Sequence, residues 1–193
     1  MMADEALLDR VVRSGGAFLR LYCWDPPTLS IGRNQPRAAT PHDVPVVRRP
    51  TGGQAVWHDR EVTYAVAAPI ALFGSLREAY CQIHTRLAAA LQSLGVETRL
   101  APAVRPSGRP DACFAAPVGG EILVYGRKLV GSAQVRRGDA FLQHGSILLD
   151  GTQPGSAGGE TTLMAVLGRP VTFTEVADAV VSSWSHLASV AAR

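Results

Sequence analysis

Residues 121–149 read EILVYGRKLVGSAQVRRGDAFLQHGSILL. Three apolar segments, 121–125, 128–134 and 140–149, follow one another with no helical stretch between them. Gly126-Arg127 joins the first two in the manner of a hairpin. Working outward, alternation and turn punctuation mark further strands at 18–24, 28–31, 45–49, 54–58, 61–68 and 96–100, with Pro26-Pro27 as one of the turns. The clearest helix is 76–94. There Leu76, Tyr80, Ile83, Leu87, Leu91 and Leu94 fall three or four apart on one face, and Gly95 stands just past the end. A shorter helix at 3–13 carries Asp4 and Glu5 early, where the helix dipole favours acids, and Gly15-Gly16 ends it. Residues 161–167 and 174–188 read as closing helices, while 101–110 and 153–159 are loops rich in proline or glycine. Strands outnumber helices and come in runs, so the expected class is α+β: a mixed or antiparallel sheet core flanked by helices.

The chain has 193 residues. At about 150 residues per domain, with no internal repeat and no linker, residues 1–193 are expected to form one domain. A chain of this size buries about 70% of its unfolded surface and needs no disulfide or metal staple. Nineteen Lys and Arg against sixteen Asp and Glu leave a net charge of +3 without a dense basic run. That argues against nucleic-acid binding and leaves room for an acidic protein partner. Cys23, Cys81 and Cys113 make no CxxC pair and no zinc-type cluster with histidine, which fits a reduced compartment. The beginning of the sequence is acidic and has no apolar signal region. The longest uncharged stretch, 62–76, is too short to span a bilayer and is broken by Pro69 and Gly74. The expected location is the cytoplasm, with no membrane partner.

Four segments could carry chemistry. In RRPTGGQAVWH (48–58), Gly52 and Gly53 let backbone approach a ligand, and Arg48 and Arg49 suit a phosphate or carboxylate; a tight hairpin with exposed arginines accounts for the pattern equally well. In GRKLVGSAQ (126–134), Lys128 is the one lysine of a chain that otherwise uses arginine. This suggests a need for a compact ammonium, although a solvated lysine at a turn is the ordinary case. In DACF (111–114), Cys113 sits on a loop where a nearby cation would favour a nucleophilic thiolate. The plainer reading, a small buried hydrophobe, fits Cys23 and Cys81. In LQHGSI (142–147), His144 either orients a substrate or is a hydrogen-bonded strand residue, the latter being the commoner case. His58 and His144 find no third ligand at a suitable spacing, so no metal is expected.

Taken in order, these segments resemble the lipoate–protein ligase and octanoyltransferase family, which is related to biotin–protein ligases. The likeness runs from residues 4–8 through 28–33 and 48–58 to 128–146, most of the chain. It implies the biotin/lipoyl protein ligase catalytic-domain fold and one of two chemistries: ATP-dependent ligation of a free acid, or transfer of octanoate from acyl carrier protein through a cysteine thioester. Cys113-Phe114 ahead of Lys128, and His58-Asp59-Arg60-Glu61-Val62-Thr63-Tyr64, resemble the transferase branch. The ligases' Gly-Asn pair after His-Asp is missing. Two departures stand out. Gly119-Gly120 precede Glu121 where transferases carry an aromatic residue, and the sequence stops soon after Trp184, without the ligases' accessory domain.

The resemblance implies that Cys113 is the nucleophile and that Lys128 stabilises its thiolate or, when neutral, accepts a proton. Backbone N–H groups around Gly131, Ser132, Ala133, Gly145 and Ser146 would form an oxyanion hole. Arg49, Thr51, Gly52, Gly53 and His58 would wall the acyl channel, with His144 beside the substrate. The partners implied are octanoyl-acyl carrier protein and a lipoyl-domain protein, either the glycine-cleavage H protein or a 2-oxoacid dehydrogenase E2; no cofactor is implied. Two alternatives accompany this reading. One is an ATP-dependent lipoate–protein ligase in which Lys128 binds the lipoyl-adenylate, and the other is a non-catalytic acyl-binding homologue.

Overall fold

The computed structural model describes residues 1–36, 44–101, 120–153 and 158–188, with side chains to residue 184. In chain order the elements are α1 (Met2–Ser14), β1 (Phe18–Tyr22), β2 (Thr28–Ile31), β3 (Val46–Arg48), β4 (Val56–His58), β5 (Glu61–Pro69), a 3₁₀ turn (Ile70–Leu72), α2 (Leu76–Ser93), β6 (Arg99–Leu100), β7 (Ile122–Val124), β8 (Arg127–Arg137), β9 (Ala140–Leu148), α3 (Leu163–Leu167) and α4 (Phe173–Ala188). Six strands form one antiparallel sheet in the order β1-β5-β9-β8-β7-β6. A small second sheet, β3-β2-β4, is mixed: β2 runs parallel to β3 and antiparallel to β4.

The two long strands at the middle of the large sheet, β5 and β9, are buried almost throughout, so neither shows the clean alternation of a half-solvated strand. On one face Tyr64, Val66 and Phe141 pack with Ile83, Leu87 and Leu91 of α2 and with Val176 and Val180 of α4. Each of these large apolar side chains contributes about 1.5–3 kcal/mol by leaving water. The opposite face is split. At one end Leu8 and Val11 of α1 cover Ala65, Ala67 and Leu142. Along the rest of that face lie Thr63, His144 and Ser146, where the small sheet brings up Arg49, Val56 and His58.

Local chemistry sets the boundaries. Ser75 caps α2, its hydroxyl accepting from the Glu78 N–H at 3.1 Å. At the other end the Gly95 N–H reaches the Gln92 carbonyl at 2.9 Å and the Val96 N–H reaches Leu91 at 3.1 Å, with Gly95 at φ 89°. This is a Schellman closure, and Val96 is its buried apolar contact. It corrects the expected strand over 96–100: Val96 is used to end the helix, and only Arg99–Leu100 pair. Tyr125 and Gly126 both adopt positive φ (49° and 78°), which makes the two-residue hairpin between β7 and β8. Cys23 and Cys81 are exposed, which corrects the expectation that both are buried. Cys23 follows the end of β1, and Cys81 stands at the margin of the α2 stripe that faces the sheet. Among the described residues no helix is long and apolar enough to cross a membrane.

Candidate active site between the two sheets

A slot enclosing about 350 Å³ of empty space opens between the sheets. The large sheet contributes Thr63 from β5, Gly131, Ser132 and Ala133 from β8, and His144, Gly145 and Ser146 from β9. Arg49, Val56 and His58 close it from the small sheet, and Met1 lies at its edge. Three segments far apart in sequence meet because β8 and β9 are in register there, with Gly131 opposite Ser146 and Ser132 opposite Gly145. The surface the slot presents is nearly all apolar, although most of these residue types are polar. Their heteroatoms are turned toward one another.

His58 shows how. Its Nδ1 lies 2.7 Å from Glu61 Oε1, and its Nε2 lies 2.6 Å from Ser30 Oγ. Ser146 and Thr63 also donate to Glu61 Oε1, at 2.9 and 2.5 Å. Trp24 stacks on the imidazole with ring centres 4.4 Å apart, and its indole N–H donates to Thr63 Oγ1 at 2.8 Å. The ring is therefore held on both edges and on one face.

His144 is held from behind. Its Nδ1 lies 3.3 Å from Asp4 Oδ2, and its Nε2 lies 2.7 Å from Thr51 Oγ1. Burial is the main force pushing this imidazole below its ordinary range; the charges of Arg49 and His58 push the same way, against the Asp4 carboxylate. Asp4 also accepts from Arg20 at 2.6 Å and Tyr22 at 2.8 Å. Burial drives the Asp4 carboxyl up, but the bonds from His144, Tyr22 and Arg20 outweigh it and hold the group below the usual carboxylate range. Asp4, expected to serve only the dipole of α1, thus ties that helix to the site.

The two arginines of the glycine loop are committed to backbone. Arg49, 4% exposed, donates to the carbonyls of Ser30, Gly52 and Gln54 at 2.9, 3.1 and 2.7 Å, and to Ser30 Oγ at 2.7 Å. Arg48 donates to the carbonyls of Gly32, Arg33 and Gln35 at 2.7–3.0 Å. These bonds, rather than an anion, are what the pair supplies, and they stitch the 49–54 loop to the end of β2. The tight approach explains one glycine: a Cβ on Gly32 would run into the Gly53 carbonyl. Of the expected channel wall, Arg49 and His58 face the slot, while Thr51 sits behind it on His144. Gly52 and Gly53 serve as a carbonyl acceptor and a packing partner.

Lys128 is buried at the start of β8. Its Nζ lies 2.7 Å from Oε1 of Glu121, which is equally buried. The residue is not the solvated turn lysine of the ordinary case. Glu121 was legible in the sequence only as the acid after Gly119-Gly120; the hairpin geometry that folds 121 back onto 128 makes it a partner. On the helix side of the same strand, the Tyr64 hydroxyl reaches Ser132 Oγ at 2.6 Å, and His84 Nε2 lies 2.7 Å from that oxygen. Gly145, between Tyr64 and Ser132 in the register, leaves the gap they bond across: its Cβ would stand 2.6 Å from Ser132 Oγ and 2.8 Å from Tyr64 Cε1. Burial foremost, then the Lys128 charge, pushes His84 down to about 3, so its ring is neutral. His84 escaped sequence reading because it lies beside the apolar stripe without belonging to its spacing.

Gly145 and Ser146 lie on β9, which is paired on both sides, so their N–H groups belong to the ladder. That corrects the expectation that they donate to an oxyanion. β8 differs, because among the described residues β7 pairs it only as far as Val130. Cys113 lies outside the described residues. Among the described residues no group of three or more His, Cys, Asp or Glu side chains is placed to hold a metal ion.

Comparison with known proteins places this arrangement. The family model for the lipoyl protein ligase A/B catalytic domain matches residues 1–185. The chain is 44% identical over 161 residues to the octanoyltransferase LipM of Carboxydothermus hydrogenoformans, covering 77% of this chain and 60% of that protein. It is also 44% identical over 165 residues to the protein of the same name from Moorella thermoacetica, with the same coverages. The chain thus spans about three-fifths of the length of these relatives. In fold it is similar to a crystal structure of lipoate-protein ligase A bound with ATP, at a TM-score of 0.75 and 20% identity, over 94% of this chain and 78% of that one.

Proposed function

The chain belongs to the lipoyl protein ligase A/B catalytic-domain family, and from that premise we propose that it is an acyltransferase that moves an octanoyl group from acyl carrier protein, through a thioester on Cys113, to a lysine of a lipoyl domain. The acceptor is the glycine-cleavage H protein or a 2-oxoacid dehydrogenase E2, and the setting is the cytoplasm. One observation carries the choice of transferase over ATP-dependent ligase. The cations around the slot are already engaged within the protein, Arg48 and Arg49 by carbonyls and Lys128 by Glu121, so the slot offers a hydrocarbon lining more than a phosphate cradle.

The chemistry is two exchanges at one sulfur. The Cys113 thiolate attacks the carrier thioester, and the carrier's thiolate leaves and takes up a proton. The acceptor amine then attacks the Cys113 thioester, the C–N bond forms, the C–S bond breaks, and the amine's proton is released. The incoming thioester supplies the driving force. The octanoyl chain lies along the slot against Val56, Ala133 and the Gly131 and Gly145 backbone. About seven buried carbons at about 0.8 kcal/mol each give the chain its hold, before ordering costs. Lys128 acts as an ammonium whose charge favours the thiolate of Cys113, each tenfold in thiolate population being worth about 1.4 kcal/mol. Backbone N–H groups at Gly131–Ala133, on the strand that loses its β7 partner after Val130, are the candidates for holding the oxyanion, at about 3 kcal/mol per donor. The net charge of +3 favours encounter with acidic carrier and acceptor domains.

The test is incubation with octanoyl-acyl carrier protein, then with a lipoyl domain, followed by mass spectrometry. An octanoyl increment on Cys113 that passes to the acceptor lysine without ATP is the expected result. Full transfer by Cys113→Ala, or transfer of free octanoate that requires ATP, overturns the proposal; acyl binding without transfer points to the non-catalytic homologue instead.

A further inference from the structure

An enzyme that carries an activated acyl group destined for a lysine faces a problem if it has a lysine of its own beside that group. This chain has one lysine among nineteen basic residues, so it has a single side-chain amine. The eighteen arginines present guanidinium groups, which do not compete as acyl acceptors. The remaining lysine stands on the strand that walls the slot, buried, with a buried carboxylate oxygen 2.7 Å from its nitrogen.

We infer that Glu121 is a positioning residue that guards Lys128 against acylation by the enzyme's own thioester. The inference rests on the reading of Cys113 as the acyl carrier. A neutral amine attacks a thioester through its lone pair. The N–C bond forms, the C–S bond breaks, and the amine's proton passes to the departing sulfur, leaving an amide on Lys128 and a free thiol on Cys113. That product is dead, because an amide does not return its acyl group to an acceptor. An ammonium hydrogen-bonded to a carboxylate has no lone pair to offer, and its protons are directed at Glu121. The same contact keeps the positive charge where the thiolate needs it. The tight hairpin at Tyr125-Gly126 brings the strand that follows Glu121 antiparallel to β8, with Leu123 opposite Lys128, so the pair is set by backbone register as well as by side-chain attraction.

The experiment compares the wild type with Glu121→Gln and Glu121→Asp, each incubated with octanoyl-acyl carrier protein and no acceptor. Intact mass and peptide mapping are recorded before and after hydroxylamine, which cleaves thioesters and spares amides. The wild type is expected to carry one hydroxylamine-labile octanoyl group, on Cys113. Glu121→Gln is expected to accumulate a hydroxylamine-stable octanoyl group on Lys128 at least tenfold faster than the wild type, losing transfer activity in step with it. Glu121→Asp, which keeps the carboxylate and is the conservative variant should the amide fail to fold, is expected to fall between the two. If both variants load Cys113 and leave Lys128 as unmodified as in the wild type, the inference is wrong while the transferase reading stands. If the wild type itself never loads Cys113, the transferase reading fails first and takes this role with it.

Discussion

Acid should unfold this protein through His84, and the size of the effect can be worked from the structure. The ring is fully buried against Tyr80, with Nε2 on Ser132 and Nδ1 enclosed without a hydrogen-bond partner. Burial, reinforced by Lys128, brings it down to about 3, against about 6.5 in an unfolded chain. The unfolded state therefore takes up this proton first. Stability is complete above about pH 6.5 and falls steadily as the pH drops from there toward 3. At pH 5 the unfolded histidine is almost wholly protonated and the folded one is not, which costs the native state about 2 kcal/mol relative to pH 7.5. His144, also pushed down, adds to the loss in the same direction. Urea unfolding at pH 7.5 and pH 5.0, for the wild type and for His84→Gln, isolates the term. Glutamine can place an amide nitrogen near the position of Nε2 and does not titrate. The wild type should lose about 2 kcal/mol more than the variant over that interval. Equal losses would show that the buried ring is protonated in the folded state, or that it is not buried in solution.

Three further outcomes are expected. Lys128→Ala leaves the Glu121 carboxylate buried without its counter-charge, so it should cost about 3–5 kcal/mol in urea unfolding and abolish transfer, whereas Lys128→Arg should recover more of the stability than of the activity. Asp4→Asn weakens bonds to Arg20, Tyr22 and His144 at once; a loss of about 2–3 kcal/mol by thermal or urea unfolding is expected, with loosening of α1 seen as faster amide exchange across residues 2–14. Gly145→Ala sets a methyl group against Ser132 Oγ and Tyr64, so it should destabilise by at least about 1–3 kcal/mol and lower acyl binding, while the same change at the open Gly52 should be mild.

How much of this was legible beforehand differs from element to element. The α2 stripe of Ile83, Leu87 and Leu91 was plain, because a period of 3.6 over eighteen residues leaves little ambiguity. The strand at 96–100 was misread, because an apolar residue after a helix-ending glycine serves a Schellman closure as readily as a strand. The arginines of the glycine loop were read as possible anion ligands. Two cations beside two glycines look the same in sequence whether they meet a phosphate or their own backbone carbonyls. Cys23 and Cys81 were expected inside because cysteine usually is, and both are on the surface.

The order of residues along the chain was enough to establish the α+β class, the long helix, the run of strands from 121 to 149, and the family likeness carried by 48–58 and 126–146, because periodicity and short motifs are local properties. Which charges cancel was decided only when strands from distant parts of the chain came into register. Glu121 lies against Lys128, Asp4 against His144 and Arg20, and Glu61 gathers His58, Thr63 and Ser146. A buried charge is tolerable only beside its partner, and that partner is chosen by the fold in three dimensions.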